Sequence, residues 1–197
     1  VVAIVGDVVG HGVRQISAMG QLRAGANALG RTLVSPGEIV AELDPFAADV
    51  PGGEFASMAV LMLDGTTTAQ VSLAGHPPPL IVRSAGGWDA IEAGRGPLLT
   101  IPGARATGSF TYEVDDVILM YTDGLLGPDD PDARLAAVAD FIRPRLEAPC
   151  RDIAREIVDE FGRDADDDVV VIALRPRNHL APEYRLRPQL PPDVVFE

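Results

Sequence analysis

Three aspartates in this chain stand where carboxylates could hold a metal ion. They lie in the segments VGDVVGHG (residues 5–12), MYTDG (120–124) and DDDVVV (166–171), and each adjoins an apolar run rich in β-branched residues. Such runs are typical of β-strands, so we expect each acid at a strand end facing one shared cleft. Carboxylates gathered in this way repel one another unless they are protonated, well separated or bridged by a cation. Oxygen ligands without clustered His or Cys favour a hard ion, so the pattern predicts a hydrolase dependent on Mg²⁺ or Mn²⁺.

Size and charge narrow the class of protein. At 197 residues and 47% apolar content, the chain can bury one substantial core, which favours a single domain. A net charge of −13 argues against a nucleic-acid or anionic-membrane surface. The longest near-continuous apolar run, residues 55–63, is far shorter than the roughly 18 residues that indicate a membrane span.

The single cysteine and the absence of lysine exclude further classes of protein. Cys150 is the single cysteine, so an internal disulfide is excluded and a reducing cytoplasm is expected. All 16 basic residues are arginine, which rules out a P-loop ATPase, a Lys-dependent kinase and a Schiff-base enzyme. No Gly-x-Ser-x-Gly elbow occurs, and Glu156 stands where a Cys-x₅-Arg phosphatase needs its arginine.

The order of predicted elements indicates an α+β arrangement. A strand at residues 1–5 is followed by a helix over 12–33, then by a second helix that a capping box at Ser35 starts and that should end near Pro45. Strands are predicted at residues 55–63, 70–74, 79–83, 88–91, 112–114 and 117–121, before two late helices and a last strand at 169–174. The first strand has no starting Met or preceding turn, so we expect a domain cut at its N-terminus and lacking the strands that pair there.

Four motifs in this order resemble the PPM (protein phosphatase 2C-like) serine/threonine phosphatases, and in particular their bacterial SpoIIE/RsbU-type branch. They are GDVVGHG (6–12), AGHPPPL (74–80), YTDG (121–124) and the acidic pair 167–168, and the match spans residues 1–175. The resemblance implies an αββα sandwich, that is, two antiparallel sheets flanked by helices, here with the first strands missing. It also implies hydrolysis of phosphoserine or phosphothreonine by a water activated at a dinuclear Mn²⁺ or Mg²⁺ centre. The remaining residues, 176–197, are expected to form a Pro/Arg-rich linker or tail.

The resemblance also implies which residues bind the metals. Asp7 would bridge the two ions, and the Val8 carbonyl would complete the shell of one of them. Asp123 and Asp167 would bind the other ion. Asp167 is chosen over the aspartates on either side of it from the motif register alone.

The sequence allows more than one role for each of two histidines. His11 could protonate the leaving serine oxygen, because a His titrates near neutrality, but packing of the Gly-His-Gly turn is equally compatible with the sequence. His76 is expected to orient the turn of the AGHPPPL segment rather than to bind metal.

Departures from the family pattern leave two classes of function. A further metal-binding aspartate usual in this branch lies upstream of the first motif, before this chain starts, and Val114-Asp115-Asp116 replaces the usual Pro-Gly-Asp. One class is an active phosphatase acting on a phosphorylated anti-anti-sigma-type regulator in stress-response signalling. The other is a catalytically weak or inactive module that binds a signalling partner through the helices after His11. The resemblance also implies neighbouring sensor or regulatory domains, and a homodimer is left open.

Overall fold

The computed structural model describes residues 1–10, 12–163, 165 and 167–177 of the chain. The strands of these residues are β1 (Val2–Asp7), β2 (Ser57–Leu63), β3 (Thr68–Ala74), β4 (Leu80–Val82), β5 (Trp88–Ala90), β6 (Arg95–Gly96), β7 (Gly108–Thr111), β8 (Val117–Tyr121) and β9 (Val171–Leu174). The α-helices are α1 (Val13–Leu29), α2 (Pro36–Asp49), α3 (Pro131–Ile142) and α4 (Cys150–Phe161), with short 3₁₀ turns at Asp123–Leu125 and Arg143–Arg145. No helix in this described part is both long and apolar enough to cross a bilayer.

The strands form two sheets. The first has the order β1-β2-β3-β6, with β7 also pairing with β3, and the second has the order β5-β4-β8-β9. All pairings are antiparallel except that between β3 and β6. One cluster of apolar side chains fills the space between the sheets, a second lies under α1 and α2, and a third lies under α3 and α4. The expected αββα sandwich is therefore confirmed.

The central strands are apolar at almost every position because both faces of each sheet are covered. Along β8, Leu119 and Tyr121 point to the helices α3 and α4, whereas Ile118 and Met120 point to the space between the sheets. Successive side chains of a strand point to opposite faces, so a strand buried on both faces needs apolar residues throughout. Strand β8 is thus packed on both faces up to its last residue, which lies two residues before Asp123.

Helix α2 begins where the sequence indicates but ends later than predicted. The Ser35 hydroxyl accepts a hydrogen bond from Glu38 N at 3.3 Å, and Pro36 occupies the first turn, as the capping box predicts. The expected end near Pro45 was wrong, because the helix continues to Asp49 with Pro45 inside it. Ile39, Val40 and Leu43 before the proline and Ala47 beyond it are all buried, so packing of the whole face against the first sheet holds the helix across Pro45, which cannot donate a backbone hydrogen bond.

The strand predicted at residues 112–114 was also wrong. Strand β7 lies just before it, and residues 113–116 form a turn organised by the buried carboxylate of Asp116. This carboxylate accepts hydrogen bonds from Glu113 N at 2.9 Å and from Ser84 N at 2.8 Å, and it pairs with Arg83. Burial raises the pKa of Asp116, but these bonds lower it by more, so the net pKa lies below its usual value.

Helix α1 is present where it was expected, but its first two apolar residues do not enter the core. Val13 is 84% exposed and Ile16 is 72% exposed, whereas Leu22 and Ala26 are fully buried under the first sheet. The N-terminal half of α1 therefore projects an apolar face into solvent.

Candidate metal centre

The structure brings Asp7, Asp123 and Asp167 together. Asp7 is the last residue of β1, Asp123 opens the 3₁₀ turn after β8, and Asp167 lies four residues before β9. One carboxylate oxygen of each lies within 4.8 Å of the others. Asp7 is half-buried and the other two are exposed, and all three line one open cleft. Three strand ends from both sheets thus place three carboxylates within the reach of one cation.

Asp7 is held by the backbone of its own strand and by the pairing of β1 with β2. It lies opposite Ser57 in the register of this pair, and its Oδ1 accepts a hydrogen bond from Val8 N at 2.9 Å. Burial is the largest cause raising the pKa of Asp7; the Val8 bond lowers it, and the negative charges of Asp123, Asp167 and Asp168 raise it again. The net pKa is above the usual value, so the cluster carries negative charge that the protein itself does not compensate.

Asp123 and Asp167 are joined through Thr122. The Thr122 hydroxyl donates to the Asp168 carbonyl at 2.7 Å and accepts from Val170 N at 2.9 Å, while Thr122 N donates to the Val170 carbonyl at 3.1 Å. Asp168 N in turn donates to Asp167 Oδ1 at 2.8 Å. The end of β8 and the acidic segment before β9 therefore form one hydrogen-bonded unit.

Gly124 allows this unit to be compact. A Cβ at residue 124 would lie 2.8 Å from the Asp168 carbonyl oxygen and 3.0 Å from that of Asp167. Both oxygens belong to the backbone, so neither can move without moving the segment that carries the Asp167 carboxylate. The glycine after Asp123 is thus required by the close approach of two chain segments.

We expect Gly124→Ala to displace Asp167 from the cluster and to lower the free energy of unfolding by about 1–3 kcal/mol, because the added methyl group overpacks a backbone contact. Chemical denaturation and calorimetric titration with Mn²⁺ would measure both effects. Gly20→Ala is the matched control, since a Cβ there meets no atom within 4 Å and α1 gains a better helix former. Unchanged Mn²⁺ affinity in Gly124→Ala would contradict the role given to this contact.

The donor set fits a hard divalent cation. All three side chains of the cluster offer carboxylate oxygens, which suit Mg²⁺ and Mn²⁺ better than softer metals. Burial is the largest cause of the raised pKa of Asp7, and repulsion from the neighbouring carboxylates, which a bound cation would offset, adds to it. The assignment of these residues as ligands remains a prediction, now with a geometry that allows it.

The structure places some of the other predicted site residues in the cleft, whereas others lie outside the described residues. Val8 is buried beside Asp7 and lines the cleft, and the role of its carbonyl stays a prediction. His11 lies outside the described residues, so the structure says nothing of its proposed part in proton transfer. Of the alternatives to Asp167, Asp166 also lies outside them, and Asp168 lines the same cleft.

Ser57 and His76 form a pair that sequence reasoning did not find. His76 is buried, with Nδ1 2.7 Å from the Ser57 hydroxyl and Nε2 3.0 Å from the Tyr121 carbonyl oxygen. Burial lowers the pKa of His76 to about 4, although the bond to Tyr121 opposes this, so the ring is neutral near pH 7. Ser57 lies 19 residues before His76, and only the pairing of β1 with β2 places it opposite Asp7.

The cleft above the carboxylates has a volume of about 1750 Å³. Apolar side chains from Val9, Ile16 and Phe55 line part of it, and Arg23 and Arg95 contribute positive charge. An open cleft of this size suits a segment of another protein better than an enclosed small molecule.

Comparison with known proteins agrees with this architecture. The family model for stage II sporulation protein E (SpoIIE) matches residues 1–177. The structure of the RsbU and RsbW domains of Rv1364c from Mycobacterium tuberculosis is 32% identical, with a TM-score of 0.81 over 89% of this chain and 53% of that chain. This chain thus spans about half the length of that protein chain.

More distant structures share the fold. RsbX in complex with magnesium is 17% identical, with a TM-score of 0.65 over 87% of this chain and 79% of that chain. The PP2C phosphatase domain of SpoIIE from Bacillus subtilis, solved with a fragment of its regulatory domain, is 11% identical, with a TM-score of 0.67 over 88% of this chain and 54% of that chain. At these identities the likeness concerns the fold alone, whereas the family match covers most of the sequence. The chain therefore belongs to the SpoIIE family of PP2C-type phosphatase domains.

Proposed function

We propose that this chain is a metal-dependent protein serine/threonine phosphatase whose metal ligands are Asp7, Asp123 and Asp167, with the Val8 carbonyl. The observation that carries the proposal is the convergence of three carboxylates within 4.8 Å in the lining of an open cleft. Membership of the SpoIIE family supports the phosphatase class.

The chain's own residues would hold and orient the reaction centre. Two Mn²⁺ or Mg²⁺ ions, when bound, lower the pKa of water and neutralise phosphate charge. Asp7, the most buried of the three acids, would bridge them, as the family resemblance implies. Asp123 and Asp167 would act together, since Thr122 and the backbone of residue 168 hold them as one unit.

A side-chain nucleophile is disfavoured in the described part of the cleft. Ser57 donates its proton toward His76, which resembles a nucleophile and its base, but a pKa of about 4 makes His76 too weak a base to take that proton near pH 7. Cys150, the single thiol, opens α4 and is absent from the residues that line the cleft. Water is therefore the proposed nucleophile.

The proposed substrate is a phosphoserine or phosphothreonine protein of the anti-anti-sigma type. Its support is the 32% identity to a structure that contains an RsbU domain, together with a cleft large enough for a protein segment. Arg23 would attract the phosphate in a chain whose net charge of −13 otherwise repels it, whereas Arg95, also in the lining, is paired with Glu92.

The test is hydrolysis of a phosphoserine protein and a phosphothreonine protein by the metal-stripped, full-length domain. We expect no turnover without metal, turnover on adding Mn²⁺ or Mg²⁺, and loss of turnover with EDTA that excess Mn²⁺ restores. Activity undiminished by EDTA would overturn the proposal.

A second candidate function is a catalytically weak or inactive module that binds a signalling partner. The exposed Val13 and Ile16 of α1 favour it, because large apolar side chains exposed together often mark a protein interface. The phosphatase assay separates the two candidates, since a binding module would give little or no turnover with either metal.

We also propose that the phosphatase domain comprises residues 1–175 and that residues 176–197 form a separate tail. The family match to residues 1–177 supports the first part. Residues 178–197 lie outside the described part of the chain.

A further inference from the structure

His76 makes two hydrogen bonds that join the two sheets beside the candidate metal centre. Its ring is 3% exposed, with Nδ1 2.7 Å from Ser57 Oγ and Nε2 3.0 Å from the Tyr121 carbonyl oxygen. A carbonyl oxygen only accepts hydrogen bonds, so Nε2 must carry the ring proton. The bare Nδ1 then accepts from the Ser57 hydroxyl. The partners therefore select one tautomer of His76 and one orientation of the Ser57 hydroxyl.

Each of these bonds ends on a strand that carries one of the carboxylates. Ser57 begins β2 and lies opposite Asp7 in the register of the first sheet. Tyr121 ends β8 in the second sheet, two residues before Asp123. The ring of His76 thus spans the gap between the strand end that bears Asp7 and the strand end that leads to Asp123.

The position of the ring is itself tightly constrained. Gly75 has a φ of +62°, and a Cβ there would lie 2.9 Å from Leu98 N, so only glycine fits the turn that delivers His76. Gly75 N donates to the Gly96 carbonyl at 2.9 Å. On the other side, the Tyr121 hydroxyl donates to the Pro78 carbonyl at 2.7 Å. Tyr121 is therefore tied at both its carbonyl and its hydroxyl to the segment that carries His76.

We propose that His76 is a positioning residue of the metal centre, which sets the spacing between Asp7 and the unit of Asp123 and Asp167 by bridging Ser57 and the Tyr121 carbonyl. The inference rests on the proposed function, because it concerns the same three carboxylates. The same bridge leaves the Ser57 oxygen as a hydrogen-bond acceptor facing the cleft. Its hydroxyl proton points to Nδ1 of His76, so the lone pairs of the oxygen remain free.

Two variants each cut one end of the bridge. In His76→Gln the amide nitrogen can take the place of Nε2 and donate to Tyr121, but no acceptor remains for Ser57. In His76→Asn the shorter side chain can reach Ser57 but not the Tyr121 carbonyl. We expect each variant to bind Mn²⁺ roughly ten-fold more weakly than the wild type in calorimetric titration without substrate, the size of effect seen when residues supporting a metal's ligands are changed.

Asp116→Asn is the matched control for a purely structural effect. Asp116 is a buried polar residue just before β8, at the opposite end of this strand from Tyr121, and it bonds Ser84 and Glu113. We expect this variant to lower the free energy of unfolding while leaving Mn²⁺ affinity unchanged. If it weakens Mn²⁺ binding as much as the His76 variants at a similar loss of stability, His76 acts on the fold and not on the site.

Ser57→Ala keeps the test decisive if the His76 variants do not fold. It removes one half-buried hydroxyl and should weaken Mn²⁺ binding several-fold with little loss of structure. In ¹⁵N NMR of the metal-free wild type, we also expect His76 to be protonated on Nε2 alone near pH 7. Protonation on Nδ1, or unchanged Mn²⁺ affinity in Ser57→Ala and in the folded His76 variants, would overturn the inference. Absence of Mn²⁺ binding by the wild type would instead overturn the proposed function.

Discussion

Asp7→Asn is expected to abolish phosphatase turnover and to leave the fold intact. Asp7 is the most buried of the three clustered acids, and its loss would remove charge from both proposed ions. The loss of activity should exceed the ~100-fold typical when an outer partner of a metal site is removed, because a ligand itself is lost. Without metal, the variant should be more stable than the wild type at pH 7, since burial and the neighbouring carboxylates raise the pKa of Asp7 and so disfavour its charged form.

Turnover of a phosphoserine protein with Mn²⁺ and thermal unfolding in EDTA would measure the two effects. Asp159→Asn is the control, because it removes the same formal charge from an exposed position on α4. Wild-type turnover in Asp7→Asn would show that the assignment of Asp7 is wrong. A metal-free variant less stable than the wild type would show instead that Asp7 supports the fold in some other way.

His76 is expected to make the stability of the protein strongly dependent on pH below neutrality. Burial lowers its pKa from 6.5 in the unfolded chain to about 4 in the fold, despite the opposing bond to Tyr121. The folded pKa is the lower one, so the unfolded state binds more protons between these values. Stability is therefore complete above about pH 6.5 and falls as the pH drops toward 4, by about 3 kcal/mol in all.

Denaturant unfolding at several pH values between 7 and 4, compared between wild type and His76→Gln, would isolate this contribution from that of the carboxylates. The variant has no group that ionises at residue 76, so its stability should fall by less over the same range. Parallel curves for the two proteins would show that His76 ionises in the fold as it does in the unfolded chain.

Sequence alone was sufficient for the fold class and for the expectation that the three acids lie close together. Strands buried on both faces require long apolar runs, and the acids stand directly beside these runs, so their placement at strand ends follows from local pattern. The motif register also singled out Asp167, and the structure places it in the cluster. The start of α2 could also be predicted from local sequence, because Ser35 and Pro36 act within one turn of the helix.

Only the tertiary structure could decide features that depend on residues distant in the chain. Helix α2 continues past Pro45, and its buried face packs against the first sheet on both sides of the proline, from Ile39 to Ala47. Tertiary packing of this kind overrides local helix propensity. Val13 fits the apolar pattern of a helix, yet it is exposed, because the buried contacts of α1 with the core begin at Ala18 and continue through Leu22. The bridge from Ser57 through His76 to Tyr121 joins three segments spread over 64 residues, since a hydrogen bond needs atoms about 3 Å apart and no local pattern encodes that proximity.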